Sequence, residues 1–376
     1  MTRNKKIIFV LIPLFLFFIG YTLGSEELPF NETLKFSYKT VVENNDNQRF
    51  EEIDAIFYQT DIENMIDIDS EIDIIEKRKQ LIDFIWRDGA KLPTKTEILI
   101  EKNIGFEEYE KLPNLERIDK HEVSMEYNVN SVSYLFLPKI KNNSLVIYHQ
   151  GHAGDFSLGY KTIEALLENN YSVLAFSMPL QGKNNQPTVD IENVGVIRLE
   201  EHNNFHLLDS EDFSSIKFFM NPIVINMNYL EENFGFENYH MIGISGGAWA
   251  TTLYSAIDER IEKSFPAGGP LPRFLIINVP GHSYEYERDV SELYDIANYL
   301  ELFILGSYGD ERKQLKILNK YDSCCYYGIS YQIFENTVKE KMFQLDNGSF
   351  DIFLDDTHRE HKISEDALSL ILEEIT

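Results

Sequence analysis

Ser245 lies in the stretch YHMIGISGGAWA, residues 239–250. Gly243-Ile244-Ser245-Gly246-Gly247 fits G-x-S-x-G, with an apolar run before it and a helix-forming run after it. A strand that turns sharply into a helix holds such a serine in a strained backbone conformation and lifts its hydroxyl clear of the sheet. Side chains at Gly243 or Gly247 would collide with nearby backbone. The amide of Gly246, at the helix start, has no carbonyl four residues back and is left free for a developing negative charge. A serine nucleophile also needs a base, a carboxylate to orient that base, and a second donor for the oxyanion. The chain offers two histidines, His358 and His361, in FDIFLDDTHREHKISEDAL. It offers two aspartates, Asp322 in QLKILNKYDSCC and Asp310 in GSYGDER. It also has a loop, His149-Gln150-Gly151-His152-Ala153-Gly154-Asp155, in which Gly151 lets a main-chain N–H, that of His152 foremost, turn toward the serine.

The elements around these residues alternate. His121–Val129 and Val132–Leu137 are β-rich runs with a polar break at Asn130-Ser131, which reads as a hairpin. Short apolar runs predict strands over 145–149, 171–176, 239–244, 261–265, 314–318 and 350–354. Helical patterns fall at 158–169, 213–233 (broken near Pro222), 246–257, 295–305, 335–343 and 364–375, the last with Ser364 as its N-cap. An opening hairpin followed by strands alternating with helices predicts a mostly parallel α/β sheet covered on both faces, with ligands beyond the carboxyl ends of its strands. Residues 25–116 read as an N-terminal helical extension. Their main pattern places Ile72, Ile75, Leu81, Ile82, Ile85 and Trp86 at helical spacing, ending at Gly89.

Taken together, residues 117–376 resemble the α/β-hydrolase superfamily, on GISGG, the HQGH loop (similar to the HG-rich loops of lipases and esterases) and the acid–histidine pair downstream. The resemblance implies a sheet of about eight strands and the chain order serine, acid, histidine. The acid then follows the penultimate strand, which favours Asp322 over Asp310. The base follows the last strand, which favours His361 over His358. It further implies ester or related acyl-bond hydrolysis through an acyl-enzyme, with a small-molecule acyl substrate and no cofactor. A peptidase with the same triad, and a membrane-tethered binding protein that has kept the pocket without the catalysis, are the alternatives. Residues 183–212 and 270–300 read as insertions that cap the pocket.

Other features bound the reading. No metal shell completes itself around His149 and His152. His202 and His206 stand four apart, but in a segment that reads as a cap loop rather than a helix face. Adjacent Cys324 and Cys325 form either a vicinal disulfide or two thiols. Asn31, Asn142 and Asn347 sit in N-x-S/T sequons. The net charge of −28, from 62 acids against 34 Lys and Arg, repels phosphate backbones and argues against nucleic acid as a partner. Residues 1–24 begin with Arg3, Lys5 and Lys6 and continue as an uncharged apolar run over 7–24. This reads as an export signal or an N-terminal membrane anchor, with the remainder periplasmic, extracellular or held at the outer membrane face. Oligomeric state is not legible.

Overall fold

The computed structural model describes residues 50–276 and 285–376, and the fold is that of the unit Asp54–Thr376. The expected signal or anchor over 1–24 lies outside the described residues. Among the described residues no helix is long and apolar enough to cross a membrane.

The elements follow in chain order. Helix α1 spans Glu71–Trp86. Strands β1 (Leu99–Glu101), β2 (Leu115–Ser124), β3 (Asn130–Pro138) and β4 (Ser144–His149) precede helix α2 (Tyr160–Glu168) and strand β5 (Ser172–Phe176). A separate two-stranded hairpin, β6 (Thr188–Ile191) with β7 (Gly195–Arg198), comes next. Helix α3 (Lys217–Phe234), strand β8 (Asn238–Ile244), helix α4 (Gly246–Ile257) and strand β9 (Ile261–Ala267) follow. Short helices α5 (Arg273–Ile276), α6 (Tyr286–Asp289) and α7 (Ser291–Ile296) lead into α8 (Tyr299–Ser307). The chain closes with β10 (Lys313–Asn319), α9 (Glu335–Leu345), β11 (Ser349–Asp355) and α10 (Glu365–Ile375).

The main sheet has nine strands in the order β1-β2-β3-β5-β4-β8-β9-β10-β11. β1 through β3 pair antiparallel, as does β3 with β5, and every pairing from β5 to β11 is parallel. Strands β4 and β5 are buried at every position, as expected where helices cover both faces. One core holds α1, α3, α4 and α8 against the sheet; the other holds α2 and α10. The order reverses at β4, whose neighbours are β5 and β8, and the gap between the loops leaving β4 and β8 is where such sheets bind ligands.

Several expectations are corrected. The sheet has nine strands rather than about eight, because β1, from within the expected extension, pairs with β2 at Leu99↔Glu122. β2 itself begins at Leu115, ahead of the expected boundary at 116/117. The hairpin turns at 125–129, where Tyr127 and Asn128 take positive φ of 56° and 58°, and Asn130 and Ser131 belong to β3. Helix α3 runs unbroken through Pro222: the proline forfeits one ladder bond, and continuous burial from Phe218 to Met227 outweighs it. In α1, Ile72 and Ile75 are exposed.

The buried stripe of α1 instead includes Arg78, whose Nε donates to Ala256 O (2.9 Å) and Nη2 to Leu305 O (3.2 Å). Those carbonyls lie in the last turns of α4 and α8, which have no helical donors of their own. Arg312 serves the same two helix ends, donating to Ser255 O (2.5 Å), Leu305 O (3.3 Å) and Tyr308 O (2.7 Å).

Candidate active site

Ser245 stands between β8 and α4 with φ 58° and ψ −120°, a region a non-glycine residue enters only when its surroundings force it. Its amide donates to Ala267 O at the end of β9 (2.9 Å), and its carbonyl accepts the amides of Ala248 (2.9 Å) and Trp249 (3.1 Å). The turn needs glycine on both sides. A Cβ at Gly247 would fall 2.0 Å from the His149 carbonyl oxygen, and one at Gly243 would fall 2.0 Å from the Gly247 carbonyl oxygen.

The loop after β4 lies directly against this turn. A Cβ at Gly151 would fall 2.6 Å from Ser245 Cβ and 3.1 Å from the Gly246 nitrogen. One at Gly246 would meet the His152 ring at 2.4 Å, so that imidazole covers the first residue of α4. Behind it, burial pushes His149 down to about 4, so this ring is neutral. It is stacked on Phe176 and bonded through Nδ1 to Gln150 O (2.9 Å).

Asp322 follows β10 and is fully buried. Its Oδ2 lies 2.7 Å from His361 Nδ1. Its Oδ1 accepts the amides of Cys324 (2.7 Å) and Cys325 (3.3 Å), the two cysteines being joined as a vicinal disulfide. His361 lies in the loop between β11 and Ser364, and Ser364 caps α10 by accepting the Ala367 amide (3.0 Å). The Cε1 edge of His361 faces Gly268, the residue after the carbonyl that holds the Ser245 amide. His361 Nε2 is buried and makes no hydrogen bond among the described residues. Ser245 and His361 line one cavity of about 890 Å³, and no hydrogen bond joins them. Contacts of this kind commonly tighten only when substrate binds.

The alternatives sit differently. Asp310 is exposed. His358 lines the same cavity but its Nε2 lies 3.3 Å from Asp355, a carboxylate already accepting from Thr357 and Ser364.

Three residues escaped the sequence reading. Gln150 lines the cavity beside Ser245 and accepts the Tyr148 hydroxyl on its Oε1, which leaves its amide hydrogens for a ligand. Gly268 brings β9 against the His361 ring. Glu287 reaches His152 from α6. The first stood within the HQGH loop; the other two carried no local signal. Among the described residues, neither 183–212 nor 270–300 lines the cavity. This cavity runs between α2 and α10, and His202 and Glu287, from the two insertions, meet at His152. His202–Leu207 is a 3₁₀ helix rather than a loop, and His206 packs on Tyr286 rather than pairing with His202.

The fold recurs in solved structures. Acetyl xylan esterase 1 from Thermoanaerobacterium sp. JW/SL YS485 superposes with a TM-score of 0.55 at 14% identity, over 87% of this chain and 100% of that one. The chain has the α/β-hydrolase fold. An acetyl xylan esterase from Paenibacillus sp. R4 gives a TM-score of 0.52 at 13% identity, over 88% and 98% of the two chains. The methylesterase BT1017 gives 0.50 at 12% identity, over 90% of this chain and 66% of that one. Searches of the sequence against protein-family models and curated proteins find no match. At these identities the likeness is one of fold, resting on the sheet order and its helical layers, and the chemistry has to be argued from the side chains.

Proposed function

We propose that the chain is a serine hydrolase that cleaves a carboxylic ester of a small molecule through an acyl-enzyme, with Ser245 as nucleophile, His361 as base and Asp322 as its orienting acid. One observation carries the reading: His361 has Nδ1 bound to a buried aspartate and a free Nε2, in the cavity where Ser245 is held at a strained φ. Asp322 fixes the proton on Nδ1, so the lone pair of Nε2 can take the serine proton. Ser245 Oγ then attacks the substrate carbonyl, and the amides of Gly246 and His152 receive the oxyanion, the loop at Gly151 setting their separation. Donors in this position are typically worth about 3–4 kcal/mol each. Collapse returns the proton from His361 to the departing alcohol, and water repeats the sequence to release the acid. The choice of ester follows the structural neighbours, which are esterases by name; the chain order of serine, acid and histidine is that of the α/β-hydrolase template. On this reading the basic-then-apolar N-terminus delivers the domain to the outer side of a membrane.

The test is labelling by a fluorophosphonate probe. Wild type labels, Ser245→Ala does not, and His361→Ala labels far more slowly than His358→Ala. Labelling retained by Ser245→Ala, or lost equally in both histidine variants, refutes the assignment. A panel of p-nitrophenyl esters of graded chain length beside peptide amides then separates esterase from peptidase.

A further inference from the structure

Beside this site, three segments remote in sequence bring two ring nitrogens and a carboxylate together. His152 comes from the loop after β4, His202 from the 3₁₀ helix after β7, and Glu287 from α6. His152 Nε2 lies 2.7 Å from Glu287 Oε1, His202 Nδ1 lies 3.1 Å from Glu287 Oε2, and the two ring nitrogens are 3.2 Å apart. Glu287 is fully buried and His202 is 5% exposed.

An ion pair of Glu287 with the two rings satisfies Oε2 and leaves Oε1 without a hydrogen bond among the described residues. His202 Nε2 faces Pro179 O at 2.8 Å, an acceptor, so its proton is placed there. Nδ1 of the same ring faces Glu287 Oε2 and His152 Nε2. Glu287 Oε1, though close to His152, is off the hydrogen-bonding direction and makes no hydrogen bond among the described residues. One proton on His152 serves one of these contacts, whereas two ring nitrogens and a carboxylate oxygen, all electron-pair donors, lie within 4.8 Å of one another. A cation satisfies them together. The two ring nitrogens, 3.2 Å apart, are near the roughly 3.3 Å expected between ligand atoms around a tetrahedral ion with bonds of about 2.0–2.1 Å. The outer nitrogen of His202, Nε2, is also occupied by a carbonyl, as the outer nitrogen of a metal-bound ring commonly is.

We propose that His152 Nε2, His202 Nδ1 and the Glu287 carboxylate bind one divalent transition-metal ion, zinc by the character of the ligands, with a fourth position left for water. Two imidazoles and a carboxylate are a borderline set that suits zinc over calcium or magnesium. The ion cross-links the oxyanion loop to both insertions. This site does not depend on Ser245 acting as a nucleophile, and its test reads binding alone.

The full-length protein is stripped with chelator and titrated calorimetrically with zinc chloride, then with cobalt chloride while the visible spectrum is recorded, with magnesium in excess throughout. The expected result is one ion per chain, a cobalt spectrum of a low-coordinate site, and a higher Tm with zinc. His202→Gln and Glu287→Gln weaken zinc at least about 100-fold. His206→Gln, outside the triangle, binds as wild type. Absence of stoichiometric uptake by wild type overturns the proposal, as does uptake that survives in Glu287→Gln. Should a variant fail to fold, wild type still decides. Zinc must then block modification of His152 and His202 by diethyl pyrocarbonate, mapped by mass spectrometry, and unblocked modification overturns the site.

Discussion

Replacing Asp322 by asparagine tests the proposed triad at its least ambiguous joint. Oδ1 of Asp322 accepts two backbone amides, from Cys324 and Cys325. In the asparagine variant the carbonyl oxygen must keep that place, because an NH₂ group there would face two donors. The NH₂ group therefore takes the position of Oδ2, 2.7 Å from His361 Nδ1. Two donors cannot face each other, so the ring gives its Nδ1 proton up and carries it on Nε2 instead. That nitrogen can no longer accept from Ser245. A wrong-tautomer base of this kind costs about 10⁴-fold in kcat in the Ser-His-Asp template, and four decades at 1.36 kcal/mol each is about 5.4 kcal/mol of barrier. The substitution is isosteric and keeps both amide bonds, so Tm should change little. The assay is kcat/KM on a short-chain p-nitrophenyl ester, paired with the fluorophosphonate labelling rate and a melt. Asp310→Asn, at an exposed position, serves as the control and should match wild type. A folded Asp322→Asn enzyme within tenfold of wild type would refute this role for Asp322.

Gly247→Ala drives a Cβ to 2.0 Å from the His149 carbonyl oxygen and 2.9 Å from that of Gln150; it should cost about 3 kcal/mol or more, read as a drop in urea midpoint. His240, 3% exposed on β8, is pushed down to about 4 by burial. Unfolded, it takes a proton near 6.5, so between about pH 6.5 and 4 the unfolded chain binds more protons and stability falls as pH falls. The full contribution of this group is about 3 kcal/mol, and His240→Gln should flatten urea stability across that window; an unchanged slope contradicts the buried neutral state. Alkylation without reductant should find neither Cys324 nor Cys325 free, and alkylation after reduction should find both.

Strands β4, β5, β8 and β10 were legible to within a residue or so because each is a short apolar run buried on both faces and bounded by turn residues; β11, only partly buried, was legible as an apolar run alone. Ser364 could be read as a cap and Ser245 as a tight turn for similarly local reasons. β1 could not: its three residues are alternately exposed and owe their conformation to pairing with β2. The stripe of α1 was misread because Arg78 stands in it, and a charged residue belongs in a buried stripe only where stranded carbonyls await it. At the site, the loops holding Ser245, Asp322 and His361 could be named from their places after strands. The direction in which the His361 and His358 rings point could not. Glu287 lay wholly out of reach, 85 residues from the His202 ring it meets, on a helix only four residues long.

The guanidinium groups of Arg78 and Arg312 have a consequence at the opposite pole of the molecule. Helix α4 is a rod about 18 Å long with Ser245 at its leading tip and these two cations clamping its trailing tip. A rod seated at both tips cannot pivot, so the serine hydroxyl inherits its aim from charges that never approach a substrate. Loosening the clamp would let that aim wander, and inactivating substitutions should therefore turn up at the rear of the domain as well as around the cavity.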